Sequence, residues 1–174
     1  VKEKLTQDML KEVNCKKVIA TLSIGLDLID KSFFESEYIK VINCPTANVI
    51  SVAEHIFSLI LSLKKRIIEA NGISIKGGTK KDLSRRSQDI SGSTIGIIGA
   101  GKIAKEVIKI AKVFDMKIVC YTLHPEKHQD LLEQDIQFLN LDELLSNADI
   151  ITVNIPLNEA SENLISNDKI RLMK

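Results

Sequence analysis

The segment TIGIIGAGKIAKEVIKIAKVF, residues 94–114, constrains the fold more than any other stretch of this chain. It opens as a short apolar strand. It passes through Gly99-Ala100-Gly101-Lys102-Ile103-Ala104 and continues as a helix with Ile103, Val107, Ile110, Ala111 and Phe114 at core spacing. Gly99 can take a positive φ, so the chain can reverse sharply. Gly101 has no Cβ, so a diphosphate can approach the backbone, and Ala104 is small enough for the helix to pack close to the strand. The N–H groups of Lys102 and Ile103 then point out of the helix start and carry the positive end of its dipole, roughly half a unit charge. A tight turn with no ligand is the plainer alternative. The G-x-G-x-x-[GA] spacing alone is weak evidence, but a strand before it and a helix after it are the context the motif requires.

The residues that follow alternate. KIVCY (117–121) reads as a strand and EKHQDLLEQ (126–134) as a helix. IQFL (136–139) is a short strand, LDELLSN a short helix and DIITVNI (149–155) a strand, and a last helix starts near Asn167. Apolar strands in strict alternation with helices predict a parallel sheet covered on both faces. Upstream, residues 5–13 read as a helix, and VIATL (18–22) and KVINC (40–44) as buried strands. One long helix is expected from about Ser51 to Asn71, with a broad apolar face and a stop at Asn71-Gly72. Residues 72–93 are polar, basic and glycine-rich, a surface connection whose charges are solvated. A phosphate role for Arg85 or Arg86 is the lesser alternative.

The end of the second strand of the nucleotide unit is the next test. An Asp or Glu there would grip the ribose hydroxyls of NAD. The sequence reads Tyr121-Thr122-Leu123-His124-Pro125, with no acid. Thr122 can still bond a ribose hydroxyl. His124, if protonated, can favour a 2′-phosphate, or it is only a solvated loop residue. The choice between NAD and NADP stays open, with a slight lean to NAD.

Composition removes some classes of partner. A net charge of +1 suggests neither nucleic acid nor an anionic membrane. No stretch has the length and apolarity of a membrane span, and no secretory signal is visible. Cys15, Cys44 and Cys120 are far apart, odd in number and without a C-x-x-C, so they read as reduced, buried residues of a cytosolic protein. No metal site is expected.

Several segments, in order, carry a family likeness: KVIATLSIGLDLID, VINCPTANVISVAEH, GSTIGIIGAGKIAKEV and NADIITVNIPLNEASENLI. From about residue 5 onward the chain resembles the D-isomer-specific 2-hydroxyacid dehydrogenases, which include D-3-phosphoglycerate dehydrogenase, glyoxylate and hydroxypyruvate reductases, and formate dehydrogenase. The resemblance implies two α/β domains with the active site between them. Residues 1–44 would be the later part of a flavodoxin-like substrate domain. Residues 45–174 would be the interdomain helix and the first part of a Rossmann-type, doubly wound NAD(P)-binding domain. Ile24 and Gly25 match the backbone that holds the substrate carboxylate, and Asn48 matches a substrate-binding residue. Gly99 and Gly101 match the glycine turn, Lys102 and Ile103 the pyrophosphate amides, Thr122 the ribose contact, and Ile155 and Pro156 the wall near the adenosine. Gly25 also reads as a plain turn glycine, Asn48 as a capping residue and Pro156 as a strand terminator. His55, in V-A-E-H, is expected to be structural.

The family's Arg, Glu and His, which polarise the substrate and move its proton, have no counterpart in residues 1–174, so no catalytic residue is assigned. The chain is expected to be a truncated gene product or a partial piece that completes no turnover alone. The implied activity is NAD(P)-dependent oxidation or reduction of a D-2-hydroxy or 2-oxo acid by a homodimer, with phosphoglycerate as first substrate. Two other readings compete. One is a catalytically inactive nucleotide-binding regulatory module. The other is a nucleotide-fold oxidoreductase without hydroxy-acid chemistry, which leaves TLSIGLDLID and NVISVAEH unexplained.

Overall fold

The computed structural model describes residues 5–6, 8–9, 18–22, 25–26, 28–30, 39–134, 136–158 and 160–174. The chain divides into two compact units, Val1–Asn48 and Val49–Lys174. In the first unit, β1 (Val18–Ala20) pairs in parallel with β2 (Lys40–Ile42), Ile19 opposite Val41. Leu5 forms a parallel bridge with Ile29. Leu5 is therefore extended and lies outside the helix expected over residues 5–13. Of that stretch Asp8 and Met9 are helical, and residues 7 and 10–13 lie outside the described residues. The expectation of buried strands is corrected as well: Val18 is 57% and Ile42 44% exposed. A two-stranded sheet in the described part of this unit does not cover both of its faces.

The second unit begins with α1 (Val49–Lys64) and α2 (Ile67–Ile75). The sequence predicts one helix that stops at Asn71-Gly72; there are two, and α2 runs through both residues to Ile75. The chain breaks at Arg66, whose φ of 56° is left-handed. A polar knot holds the break. The Arg66 guanidinium pairs with Glu69 and donates to Ser84 Oγ at 2.6 Å, and the Ser84 amide donates to Glu69 Oε1 at 2.8 Å. The Ser84 amide first, and then Arg66, hold the Glu69 carboxyl below its ordinary range. Apolar periodicity cannot register a break fixed by a residue from another segment. α1 buries Val49, Ala53, Phe57 and Ile60, a stripe at helical spacing. α2 buries no residue, although four of its nine are isoleucine.

The sheet is β3 (Thr94–Ile98), β4 (Lys117–Tyr121), β5 (Gln137–Phe138) and β6 (Ile150–Val153), all parallel, in the order β5-β4-β3-β6. Between β3 and β4 runs α3 (Lys102–Val113). It ends with Asp115 in the left-handed region, φ 53°. The Met116 amide bonds the Ala111 carbonyl and the Asp115 amide the Lys112 carbonyl, both 3.1 Å, so the end is a Schellman motif with Asp where Gly is usual. The helix expected over 126–134 is shorter: a 3-10 turn (Pro125–Lys127) and then α4 (Gln129–Leu132). Pro125 fixes the first turn, and only Leu131 is buried in α4, so little packing extends it. α5 (Leu141–Asn147) has a capping box between Asn140 and Glu143, and α6 is Asn167–Ile170.

Alternation along β3 builds both faces of the core. Ile95 and Ile97 pack with α1 and α3, where Phe57 stacks on Phe114 at 5.7 Å. Ile98 packs on the other face with Leu141, Leu144 and Leu145 of α5. A Cβ at Gly96 would lie 2.7 Å from Leu144 Cδ2 and 2.8 Å from the Ala148 Cβ, so the missing side chain sets how close α5 comes. Cys120 is fully buried, while Cys44 is half-buried rather than buried and Cys15 lies outside the described residues.

Asp149 fastens the start of β6 to β3. Its Oδ2 accepts from the Thr94 amide at 2.8 Å, its own amide donates to the Thr94 carbonyl at 2.8 Å, and Lys174 Nζ lies 3.0 Å from Oδ1. The Thr94 bond, followed by Lys174, lowers its pKa below 3.8. Asp149→Ala is expected to cost about 0.5–1 kcal/mol near neutral pH, the value of one hydrogen bond discounted for partial exposure. A depressed native pKa stabilises above the unfolded value and is lost as pH falls through the native one. The urea stabilities of the two proteins should therefore begin to approach one another as pH falls below about 3.8.

Candidate dinucleotide site

The strand order reverses beside β3. The chain leaves β3 to reach β4 on one side and arrives at β6 on the other, and in open parallel sheets that reversal opens a crevice at the carboxyl ends of the strands. The glycine turn lies at this point. Gly99 has φ +100°, and a Cβ on it would stand 2.7 Å from both the Asn154 carbonyl oxygen and Ile155 Cγ2. No side chain larger than hydrogen fits there. The turn is tied to both neighbours: the Gly99 amide donates to the Tyr121 carbonyl and the Asn154 amide to the Ile98 carbonyl, each at 2.8 Å.

Gly101 is different. Its backbone is extended, φ −75° and ψ −168°, and a Cβ on it would meet nothing within 4 Å. Protein packing therefore does not demand glycine here, whereas a ligand approaching the backbone would. No side chain caps α3, and its first backbone bond runs from the Lys105 amide to the Gly101 carbonyl at 3.1 Å. The amides of Lys102 and Ile103 lie ahead of that ladder, free to receive an anion. Ala104 is fully buried, where it lets α3 close on the sheet.

Flanking the turn is a cleft of about 260 Å³. Tyr121, Thr122, Leu123 and His124 from the exit of β4 form one side, and residues from Ile155 to Leu164 beyond β6 form the other. The structure thus brings Thr122, His124, Ile155 and Pro156 to one cavity. Its walls are largely apolar, which suits a flat aromatic base.

Four polar residues that sequence reasoning passed over shape the same place. Asn158 Oδ1 accepts from the amides of Ala160 and Ser161 at 3.0 Å, and Ser161 Oγ donates to the Pro156 carbonyl at 2.6 Å. This Asx turn fixes the wall formed by Pro156, and Asn-x-x-Ser is its visible signal. Asn154 carries, among the described residues, the one buried side-chain nitrogen with no partner, Nδ2, next to the glycine turn. Glu126, an acid on the 3-10 turn beyond the strand end, stands beside the cleft residue His124, with Oε1 3.2 Å from its Nδ1. Its own amide, and then His124, hold its carboxyl below the ordinary range. Beneath the turn, Cys120 Sγ sits 4.0 Å from the Gly99 carbonyl, and burial pushes its thiol up to about 12.

The substrate-site candidates lie in the first unit. Gly25 and Asn48 are exposed, and Ile24 lies outside the described residues. His55 is on an exposed position of α1. Arg85 and Arg86 are exposed, well along the chain from the turn.

A parallel sheet whose order reverses at a glycine turn, with a helix N-terminus opening over it and a cleft between the flanking strand ends, defines a dinucleotide-binding α/β domain. Residues 57–174 match the family described as D-isomer specific 2-hydroxyacid dehydrogenase, NAD binding domain, and the chain belongs to that family. It is 35% identical over 171 residues to a hydroxypyruvate reductase of Thermotoga maritima, covering 98% of this chain and 54% of the relative. The structure is similar to that of the D-lactate dehydrogenase from Aquifex aeolicus complexed with NAD and lactic acid: TM-score 0.87, 33% identity, 98% of this chain and 51% of that one. It is also similar to an acyclic imino acid reductase in complex with NADPH and D-Arg, with TM-score 0.86, 29% identity, and 98% and 54% coverage. The chain thus spans about half the length of the relatives it matches. NAD fits the residues present on three counts: open space at Gly101, two amides ahead of the helix ladder and the orphaned Asn154 nitrogen. Among the described residues no helix is long and apolar enough to cross a membrane.

Proposed function

We propose that the protein is an NAD-dependent oxidoreductase of D-2-hydroxy acids, of the hydroxypyruvate or glyoxylate reductase or phosphoglycerate dehydrogenase type. The observation that carries this reading is the pairing of an irreplaceable Gly99 with a Gly101 that no protein contact requires. When bound, NAD supplies or accepts the hydride. In this reading Gly99 shapes the turn, Gly101 leaves room for the diphosphate, and the amides of Lys102 and Ile103 donate to its oxygens. Thr122 bonds the adenosine ribose, His124 sits beside it, and Ile155 and Pro156 wall the adenine side of the cleft. Residues 1–44 are proposed as the later part of the substrate domain, where Ile24 and Gly25 present backbone amides to the substrate carboxylate and Asn48 orients it. Residues 45–174 are proposed as the interdomain helix and the first part of the nucleotide domain. The relatives' names support a small 2-hydroxy or 2-oxo acid as substrate.

We also propose a cytoplasmic homodimer joined through the nucleotide domain. Ile68 and Ile75 of α2, each 78% exposed, and Leu63 of α1, 77% exposed, support such an interface. The test is calorimetry on the 174-residue chain. NADH is expected to saturate one site per chain, with no NADH-dependent reduction of glyoxylate, hydroxypyruvate or 3-phosphohydroxypyruvate by this chain alone. Failure of NADH to bind would remove the reading, and turnover by these residues would show that the acid–base group lies within them.

A further inference from the structure

We infer that Glu126, standing against His124, sets the choice between NAD(H) and NADP(H), by keeping the imidazole from serving as a cation for a 2′-phosphate. The inference rests on the dinucleotide reading above. The strand end that would hold a ribose-binding acid carries Thr122, so charge selection at this rim falls to the residues just beyond. His124 lines the cleft together with Thr122. Its Nδ1 lies 3.2 Å from Glu126 Oε1, and the two side chains are 59% and 65% exposed, so a ligand can reach both.

The remaining charges nearby leave Glu126 as the partner of His124. Asp130 is occupied by Lys105 at 2.6 Å, and His128 acts on Asp130. Lys127 acts on Glu126 and reinforces its ionised form. A 2′-hydroxyl carries no charge and can donate to the carboxylate. A 2′-phosphate carries nearly two negative charges and meets a carboxylate already engaged with the imidazole that lines the cleft. The choice is therefore made by a pair on the turn after β4, and not by an acid on the strand itself.

The test is titration of the 174-residue chain and its variants with NADH and NADPH, read as the ratio of the two dissociation constants. The wild type is expected to bind NADH more tightly. Glu126→Gln keeps the shape and removes the charge, and should shift the ratio toward NADPH about fivefold, the scale of one exposed charge pair. His124→Gln leaves the carboxylate uncompensated and should shift the ratio the other way. In His124→Gln/Glu126→Gln the gain in NADPH binding should disappear. Both residues are exposed, and thermal melts will show that the variants fold. A ratio unmoved by Glu126→Gln while NADH still saturates the site would overturn this inference and leave the dinucleotide reading standing. Failure of the wild type to bind either nucleotide would overturn both.

Discussion

Gly101→Val is expected to weaken NADH binding at least about a hundredfold while lowering stability by only about 1 kcal/mol. The backbone at Gly101 is one that any residue adopts, and a Cβ there meets nothing within 4 Å, so the folded protein is expected to accept a side chain. The small expected loss is that of an apolar residue at a helix N-cap. The branch would occupy the approach to the amides of Lys102 and Ile103, which an incoming diphosphate needs. Gly99→Ala is the opposite case. An alanine there must hold φ +100° and bring its methyl within 2.7 Å of a backbone oxygen, so the exit of β6 must move. About 3 kcal/mol of destabilisation is expected from strain and overlap together, and binding falls with the fold. Chemical denaturation beside calorimetry separates the two glycines. If Gly101→Val bound NADH as tightly as the wild type, the diphosphate would not rest on this turn.

The second large effect lies on the far face of the sheet. Leu144 is fully buried over Gly96, so Leu144→Ala should cost about 3 kcal/mol through lost burial and a cavity. Gly96→Ala places a methyl 2.7 Å from Leu144 Cδ2 and should cost about 2 kcal/mol by overpacking. The double variant relieves the overlap with Leu144, while the 2.8 Å approach to the Ala148 Cβ remains. It should be at least about 1 kcal/mol more stable than the sum of the single losses predicts. Strict additivity in urea unfolding would show that the contact with Leu144 is not what makes glycine necessary at position 96.

Much of the second unit was legible in one dimension. Its strands are apolar runs because both faces of the sheet are covered, and the turn after β3 is written in residues whose small size has a local cause. What escaped prediction depends on partners remote in sequence. The break at Arg66 is secured by Ser84, eighteen residues away, and no helical periodicity encodes it. The shortness of α4 follows from Pro125 and from how little of it finds a surface to cover. For the candidate site, Thr122, His124, Ile155 and Pro156 could be named from spacing and family likeness. That Glu126 stands against His124 could not, because a 3-10 turn decides which acid faces the imidazole. The orphaned nitrogen of Asn154 is likewise a property of packing, invisible until β6 lies beside β3.

The sulfur under the glycine turn has a chemical consequence. Burial pushes the Cys120 thiol up to about 12 and leaves it no exposed surface, so it stays a protonated thiol at neutral pH. Peroxides and electrophiles attack the anion, so this side chain is a poor target for them. The thiol beneath the nucleotide turn therefore serves as packing and is held in its less reactive, protonated form.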